Sequence, residues 1–325
     1  MIKHKKKLLW LLLPLLAAAI VLSLPGLVSN YMLRVLNMMM ITYLCVLSLF
    51  VVNGMCGQSS FAQAGLWGVG AYITAIATVR GGLPPVVGML LSIVGTALLA
   101  FLVGLPLFRL KRYYFTFSTV GVMMILNSLF LNWTPVTGGA MGMANVPPFS
   151  IGGLVMKTEG NNFYLILVIS AAVSAVIWVL YRSALGRSFM AIRDNEIAAN
   201  CMGVNSLLTK DLSFAISGAI CGLAGSLFAF LAGYLSSTTF SYSQSTMYLV
   251  MLMVGGSSSP VGPIVGSTLL SLLPEWFRAL QDYMMLIYGV GVMILMVVLP
   301  DGLVGGGRKL CEKLAGKRTD SADAE

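Results

Sequence analysis

The chain has 325 residues, of which 58% are hydrophobic and 10% charged, with a formal net charge of +9 and a mean hydropathy of +0.90. A soluble domain carries about 25% charged residues, so a water-soluble globule is excluded, and no basic stripe alternates with stacking aromatics as nucleic-acid binding would require. Runs that approach or exceed about 18 apolar residues point to an all-α, polytopic helical membrane protein, and the alternating strands of a transmembrane barrel do not occur in the sequence.

In chain order, a basic start (MIKHKKK) leads into an apolar run, 8–24, that has the outline of a signal peptide. Its core is long and no clear small-x-small site follows, so a retained first helix is expected. Further spans are expected at 32–52, 64–79, 85–108, 113–131, 163–181, 212–235, 246–254, 261–277 and 283–299, giving about ten membrane segments. The segment 246–254 is too short to cross alone, and is expected to be a half-helix or a re-entrant piece lined by protein. Residues 1–305 thus form a transmembrane domain interrupted by a polar cytosolic segment at 182–211, and 306–325 form a cytosolic charged tail.

Starting the chain in the cytosol and alternating sides divides the basic residues unevenly. Sixteen fall inside: Lys3, Lys5, Lys6 and Lys7, then Arg109, Lys111 and Arg112, then Arg182, Arg187, Arg193 and Lys210, then Arg308, Lys309, Lys313, Lys317 and Arg318. Only Arg34, Arg80, Lys157 and Arg278 fall outside. Lysine and arginine collect on the cytosolic side, so both termini are expected in the cytosol and the loop 132–162 outside.

Four places interrupt the apolar pattern. The first, NGMCGQSSFAQAGLWGVG from Asn53, gathers Asn53, Gln58, Ser59, Ser60 and Gln63 among five glycines. Small residues there fit close helix packing, while the amides and hydroxyls can line a polar translocation route. The second, GGSSSPVGPIVG from Gly255, loosely echoes the first and reads as a turn. The third, NWTPVTGGAMG from Asn132, is a turn-rich outer loop that either meets a soluble partner or is an ordinary connection. The fourth is the polar segment, RSALGRSFMAIRDNEIAANCMGVNSLLTKD. Ser188 is expected to cap one short helix through Ile192, and Asp194 a second at 195–202 that ends at Gly203. Phe189, Met190, Ile192, Ile197 and Met202, rimmed by Arg187, Arg193 and Glu196, are expected to form a partly exposed patch, either a partner interface or a surface against the membrane.

What is missing narrows the chemistry. There is no GxxxxGK[ST] loop to cradle ATP phosphates. The acidic residues fall in loops or near span ends, and the single histidine is His4, so no buried proton relay is expected. Cys45, Cys56, Cys201, Cys221 and Cys311 have no metal-ligand spacing and are expected as free thiols. Neither a catalytic residue set, nor a metal site, nor a cofactor is expected in this chain. A translocation bundle without a motor, carrying a cytosolic contact segment, implies that the motor is a separate subunit.

Four stretches resemble one family. NGMCGQSSFAQAGLWGVGAY, RLKRYYFTFSTV with TGGAMG, GRSFMAIRDNEIAANCMGVN, and SGAICGLAGSLFA through PDGLVG are similar to elements of the membrane subunits of branched-chain amino-acid-type ABC importers, in the LivM-like branch. The resemblance runs over roughly 52–306, and the third stretch is its most specific part. It implies that Gly186, Arg187, Ile192, Arg193, Asp194, Asn195, Glu196, Ile197 and Gly203 couple the chain to a cytosolic ATPase; within that contact Arg193 and Glu196 are expected to meet it electrostatically and Ile192 and Ile197 to form its buried part. It further implies two such ATPase subunits holding ATP and Mg, a second, similar permease subunit, an extracytoplasmic substrate-binding protein, and residence in a bacterial cytoplasmic (inner) membrane. One departure is GGSSSPVGP, where the family often has GG-x-GS-x-x-GP. The alternatives are the same architecture carrying urea, short amides or another small polar solute, an ion-coupled secondary amino-acid carrier, and, least favoured by the residues present, a membrane-embedded enzyme.

Overall fold

A computed structural model describes residues 28–110, 112–151, 154–276, 289, 293 and 302–306. Among them, α1 (Asn30–Leu49) begins behind Ser29, whose Oγ accepts the Met32 N–H, and runs without a break into a π turn, Phe50–Met55. A non-helical strip at 56–62 follows. Then come α2 (Gln63–Ala75) with its own π turn (Ile76–Arg80), α3 (Pro85–Leu107), α4 (Arg112–Asn132) and the single turn α5 (Thr134–Thr137). The connection between α5 and the next long helix holds a small antiparallel hairpin, β1 (Ser150–Ile151) against β2 (Leu154–Val155), with Ser150 opposite Val155. The remaining helices are α6 (Glu159–Arg182), α7 (Ala184–Asp194), α8 (Glu196–Cys201), α9 (Ser206–Ala232), α10 (Tyr242–Gly255) and α11 (Gly262–Trp276).

The protein is therefore helical, with one two-stranded addition to the expected all-α architecture. Five helical stretches among the described residues are long and apolar enough to cross a membrane: Asn30–Met55, Pro85–Leu107, Tyr113–Asn132, Glu159–Arg182 and Ser206–Ala232. The expected segments 8–24 and, but for two isolated residues, 283–299 lie outside the described residues. The short segment expected at 246–254 belongs to α10, which has 14 residues. At ~1.5 Å per residue it is about 21 Å long, well under the ~30 Å of a bilayer core.

Packing explains why α9 sits at the centre. On α3, Gly88, Ser92, Thr96, Ala100 and Gly104 recur every four residues and are all buried, while Leu90, Val94, Leu98 and Leu102 on the other faces are exposed. The small stripe lets α9 approach to backbone contact. A Cβ added at Gly218 would lie 2.5 Å from the Ala100 Cβ, and one at Gly222 2.6 Å from the Ser92 carbonyl. Ser92 Oγ lies 2.9 Å from the Gly70 carbonyl and 2.7 Å from the Gly222 carbonyl, tying α2, α3 and α9 at one point. Close backbone approach through small residues is how membrane helices associate when apolar burial gives no advantage over lipid. The outward leucines and valines of α3 match a lipid-facing surface.

Charged contacts mark the two ends of the bundle. At one end Arg34 meets Glu159, whose carboxylate also accepts from Asn37 Nδ2, and Arg80 donates to the Pro135 carbonyl. At the other end Arg193 reaches the Gly54 carbonyl and Lys210 pairs with Glu196.

Candidate functional site: a polar break gripped by a surface helix

The strip 56–62 leaves backbone donors at the start of α2 without helical partners, and such groups must be satisfied inside a membrane protein. Side-chain hydroxyls from two helices and from the strip itself do this. Thr119 Oγ1 on α4 accepts the Phe61 N–H at 3.1 Å, Ser60 Oγ accepts the Ala62 N–H at 3.2 Å, and Ser245 Oγ on α10 accepts the Ala64 N–H at 3.0 Å. Ser60 Oγ also donates to Gln63 Oε1 at 3.0 Å, and Gln63 Nε2 donates to Ser217 Oγ on α9 at 3.0 Å.

Of the five residues expected to line a route, Ser60 and Gln63 are fully buried and engaged in this cap, and Gln58 is 4% exposed. Asn53 and Ser59 keep partial exposure, with Asn53 Nδ2 3.5 Å from Ser59 Oγ. Thr119, Ser217 and Ser245 belong to the same polar cluster but carry no local sequence signal, because single hydroxyls in apolar helices are commonplace and their partners lie far along the chain.

The polar segment at 182–211 forms two helices, shifted from their expected starts. The first is capped by Ser183, not Ser188: Ser183 Oγ accepts the Gly186 N–H at 3.2 Å, while Ser188 sits inside α7 and donates to the Ala184 carbonyl. The second is capped by Asn195, not Asp194. Asn195 has extended backbone (φ −156°, ψ 105°), which aims Oδ1 at two donors, the Ile197 and Ala198 N–H groups, at 3.0 and 3.1 Å. Gly203 takes the left-handed conformation expected of a terminator, at φ +85°.

The expected exposed patch divides in two. Phe189 and Ile192 are buried (0% and 3% exposed) against the chain itself, so Ile192 is not part of an open surface. Met190 is half-buried, whereas Ile197 and Met202 are 77% and 87% exposed. The spacing of Gly186, Phe189 and Ile192 places them on one inward face of α7. Gly186 is where α7 touches α6: a Cβ there would lie 2.1 Å from the Leu180 carbonyl. Arg187 and Asp194 remain at the surface. Lys210, on the first turns of α9, is buried, and its Nζ lies 2.5 Å from Glu196 Oε1, which commits Glu196 within the chain.

The two polar segments meet. Arg193 Nη1 donates to the Gly54 carbonyl at 2.5 Å, inside the π turn that ends α1. Gly57, at φ +72°, packs under the Arg193 side chain; a Cβ there would lie 2.9 Å from Arg193 Cγ. Only glycine combines that backbone angle with that clearance. Any displacement of α7 is thereby applied to the backbone on which Asn53, Gln58, Ser59 and Ser60 are mounted.

A sequence profile of the family described as "Branched-chain amino acid transport system / permease component" matches residues 31–299. Among curated proteins, the chain is 32% identical over 265 residues to the high-affinity branched-chain amino acid transport system permease protein LivM of Escherichia coli K12, covering 73% of this chain and 61% of that protein. The LivM protein of Salmonella typhimurium matches to the same extent. The autoinducer 2 import system permease protein LsrC of Shigella flexneri is 26% identical over 206 residues, covering 57% of this chain and 54% of that protein. The chain thus spans about three fifths of the length of the LivM proteins it matches. No solved structure matches the chain significantly.

Proposed function

The chain belongs to the branched-chain amino acid transport system permease family, and from that premise we propose that it is the membrane-spanning subunit of an ATP-driven importer of branched-chain or similar small amino acids. Two cytosolic ATPase subunits, a second, similar permease and an extracytoplasmic binding protein complete the assembly in a bacterial inner membrane, with both termini of this chain in the cytosol. About ten segments cross, counting those outside the described residues. The observation that carries the reading is the direct grip of α7 on the polar break, through Arg193, Gly54 and Gly57. An ATPase that seats on the exposed Ile197, Met202 and Arg187 moves α7 and α8, and α7 moves the break. Asn53 and Ser59 face the route; Ser60 and Gln63 hold the shape of its wall. ATP and Mg are bound and turned over on the partner ATPase, and this chain supplies no catalytic group.

The test is reconstitution of the full complex in proteoliposomes with radiolabelled leucine. ATP-dependent uptake that requires the binding protein supports the reading. Uptake by the purified chain alone, driven by a sodium gradient without ATP, overturns it in favour of a secondary carrier. The similarity to LsrC, a permease named for autoinducer 2 import, supports a second reading with the same architecture and a different small polar cargo. Competition separates the two: excess valine and isoleucine should block leucine uptake, and urea should not.

A further inference from the structure

Asp211 stands apart from every other charged residue described. It lies in the second turn of α9, its side chain is 0% exposed, and neither carboxylate oxygen has a hydrogen-bond partner. The sequence places it at the end of a water-facing segment; the structure places it inside the bundle. An unpaired buried charge is costly and persists only where the surroundings hold it. Here they do. Asp211 Oδ1 occupies a notch on α3 at Gly104, where an added Cβ would lie 2.0 Å from that oxygen. Phe214, edge-on to the stacked rings of Phe108 and Phe115, closes the notch on its other side. The neighbouring Lys210 cannot serve as partner, because successive helix residues diverge and its Nζ is committed to Glu196.

A cation is nevertheless close along the chain. Arg109 follows Gly104 by five residues and is exposed in the turn just beyond the end of α3. Between them stands Pro106, inside the last turn of α3. A proline there removes one intrahelical hydrogen bond and loosens the turn that follows. The bonds beyond it are short-range: the Arg109 N–H reaches the Pro106 carbonyl at 3.4 Å, and the Leu110 N–H the Leu107 carbonyl at 3.1 Å. On the α9 side, the turn that carries Asp211 is joined to α8 through Lys210 and Glu196, so it moves with the segment that meets the ATPase.

We propose that Asp211 is a positioning residue of the transport cycle: its carboxylate rests in the Gly104 notch in the state described here, and pairs with Arg109 in the alternate state, when the inner end of α9 shifts against α3. The unpaired charge raises the energy of the resting state, the ion pair stabilises the other, and the difference keeps the two within reach of the ATPase. This rests on the importer reading above, and adds to it a residue and a movement.

The experiment uses the full reconstituted complex, with leucine uptake, ATP hydrolysis and thermal unfolding measured together on Asp211→Asn, Asp211→Glu, Arg109→Gln and the double variant Asp211→Asn/Arg109→Gln. Asp211→Asn should raise the unfolding temperature, since it removes the unpaired charge, yet lower uptake about tenfold or more, the size expected when one member of a desolvated charge pair is lost. Asp211→Glu should recover part of the uptake. Arg109→Gln should lower uptake similarly, and the double variant should be no worse than either single one, as for two residues acting as one pair. Exchanging the charges, Arg109→Asp with Asp211→Arg, should restore more uptake than either exchange alone. Wild-type uptake by Asp211→Asn, a lowered unfolding temperature for it, or losses that multiply in the double variant would each overturn the proposal. A wild-type complex that imports nothing with ATP overturns the importer reading itself, which is a different result from a working complex indifferent to residue 211.

Discussion

Replacing Arg193 tests whether α7 drives the break. The guanidinium makes a hydrogen bond to the Gly54 carbonyl at 2.5 Å, and its Cβ–Cγ stem fills the space over Gly57. Arg193→Met keeps most of that stem and removes the charge, so the loss is close to that of the hydrogen bond alone. A hydrogen bond to a charged group contributes about 1.5–3 kcal/mol net. Gly54 is buried, so water compensates poorly for the missing donor. A loss of about 2 kcal/mol is a factor of roughly 30 in the equilibrium between gripped and released α7. In proteoliposomes, leucine moved per ATP hydrolysed should fall about tenfold or more, while the ATPase stays bound. Amide exchange over 53–60 should quicken, because that backbone loses its external tie. Arg193→Lys should retain part of the coupling, and Arg193→Glu, which sets a carboxylate against a carbonyl, should retain least and still insert. The reasoning is refuted if Arg193→Met transports at wild-type stoichiometry with exchange over the break unchanged.

Gly222→Ala puts a Cβ 2.6 Å from the Ser92 carbonyl, a backbone atom that cannot rotate away; it should cost about 1–3 kcal/mol by forcing α9 from α3, seen as a lower unfolding temperature in detergent. Ser245→Ala strips the acceptor from the Ala64 N–H at a buried helix start, at about 1–3 kcal/mol, and should quicken exchange at Ala64 without displacing the ATPase. Ile197→Asp changes a side chain that is 77% exposed in this chain; unfolding temperature should hold within experimental error while co-purification of the ATPase is lost. Retained ATPase binding by that variant would move the docking surface elsewhere.

The sequence carries the two polar segments plainly, since polar runs stand out where charge is scarce, and it places α1, α3, α4 and α6 to within a few residues, while α9 begins six residues before its expected start. It does not carry their meeting. Arg193 and Gly54 are far apart in the chain, and nothing local in RDNE or NGMCG names the other. The helix caps went astray for a different reason. RSALGRS and RDNE each offer two capping residues of similar quality, and the choice between Ser183 and Ser188 depends on where α6 ends, with Ser183 serving both as its C-cap and as the N-cap of α7. Phe189 and Ile192 read as exposed because a surface segment was expected to face water on all sides. The inward face of α7 is covered by the bundle itself, and of the expected patch Ile197 and Met202, beyond the Asn195 cap, are left open. Asp211 could not be read at all: its burial depends on a notch made by the absence of a side chain at Gly104.

These contacts also divide the bundle into parts that yield and parts that do not. Between Ser92 and Ala100 on α3 and Gly218 and Gly222 on α9, backbone meets backbone, with no side chain to adjust. Packed surfaces of that kind shift between discrete arrangements or hold still. Toward the N-terminal end of α9 the character changes. Below Gly218 the contact passes through Asp211 in its notch and a triad of phenylalanine rings, and α3 is weakened at Pro106. Across the bundle, α1 ends in a π turn, a geometry that often marks functional sites, and the strip beyond it is held by hydroxyl hydrogen bonds, each contributing about 0.5–1.5 kcal/mol net. A push delivered through α7 and α8 therefore meets its least resistance at two places, the break at 56–62 and the N-terminal end of α9. Motion should concentrate there while the central α3–α9 contact acts as the fulcrum, because separating it costs more than rearranging either of the other two.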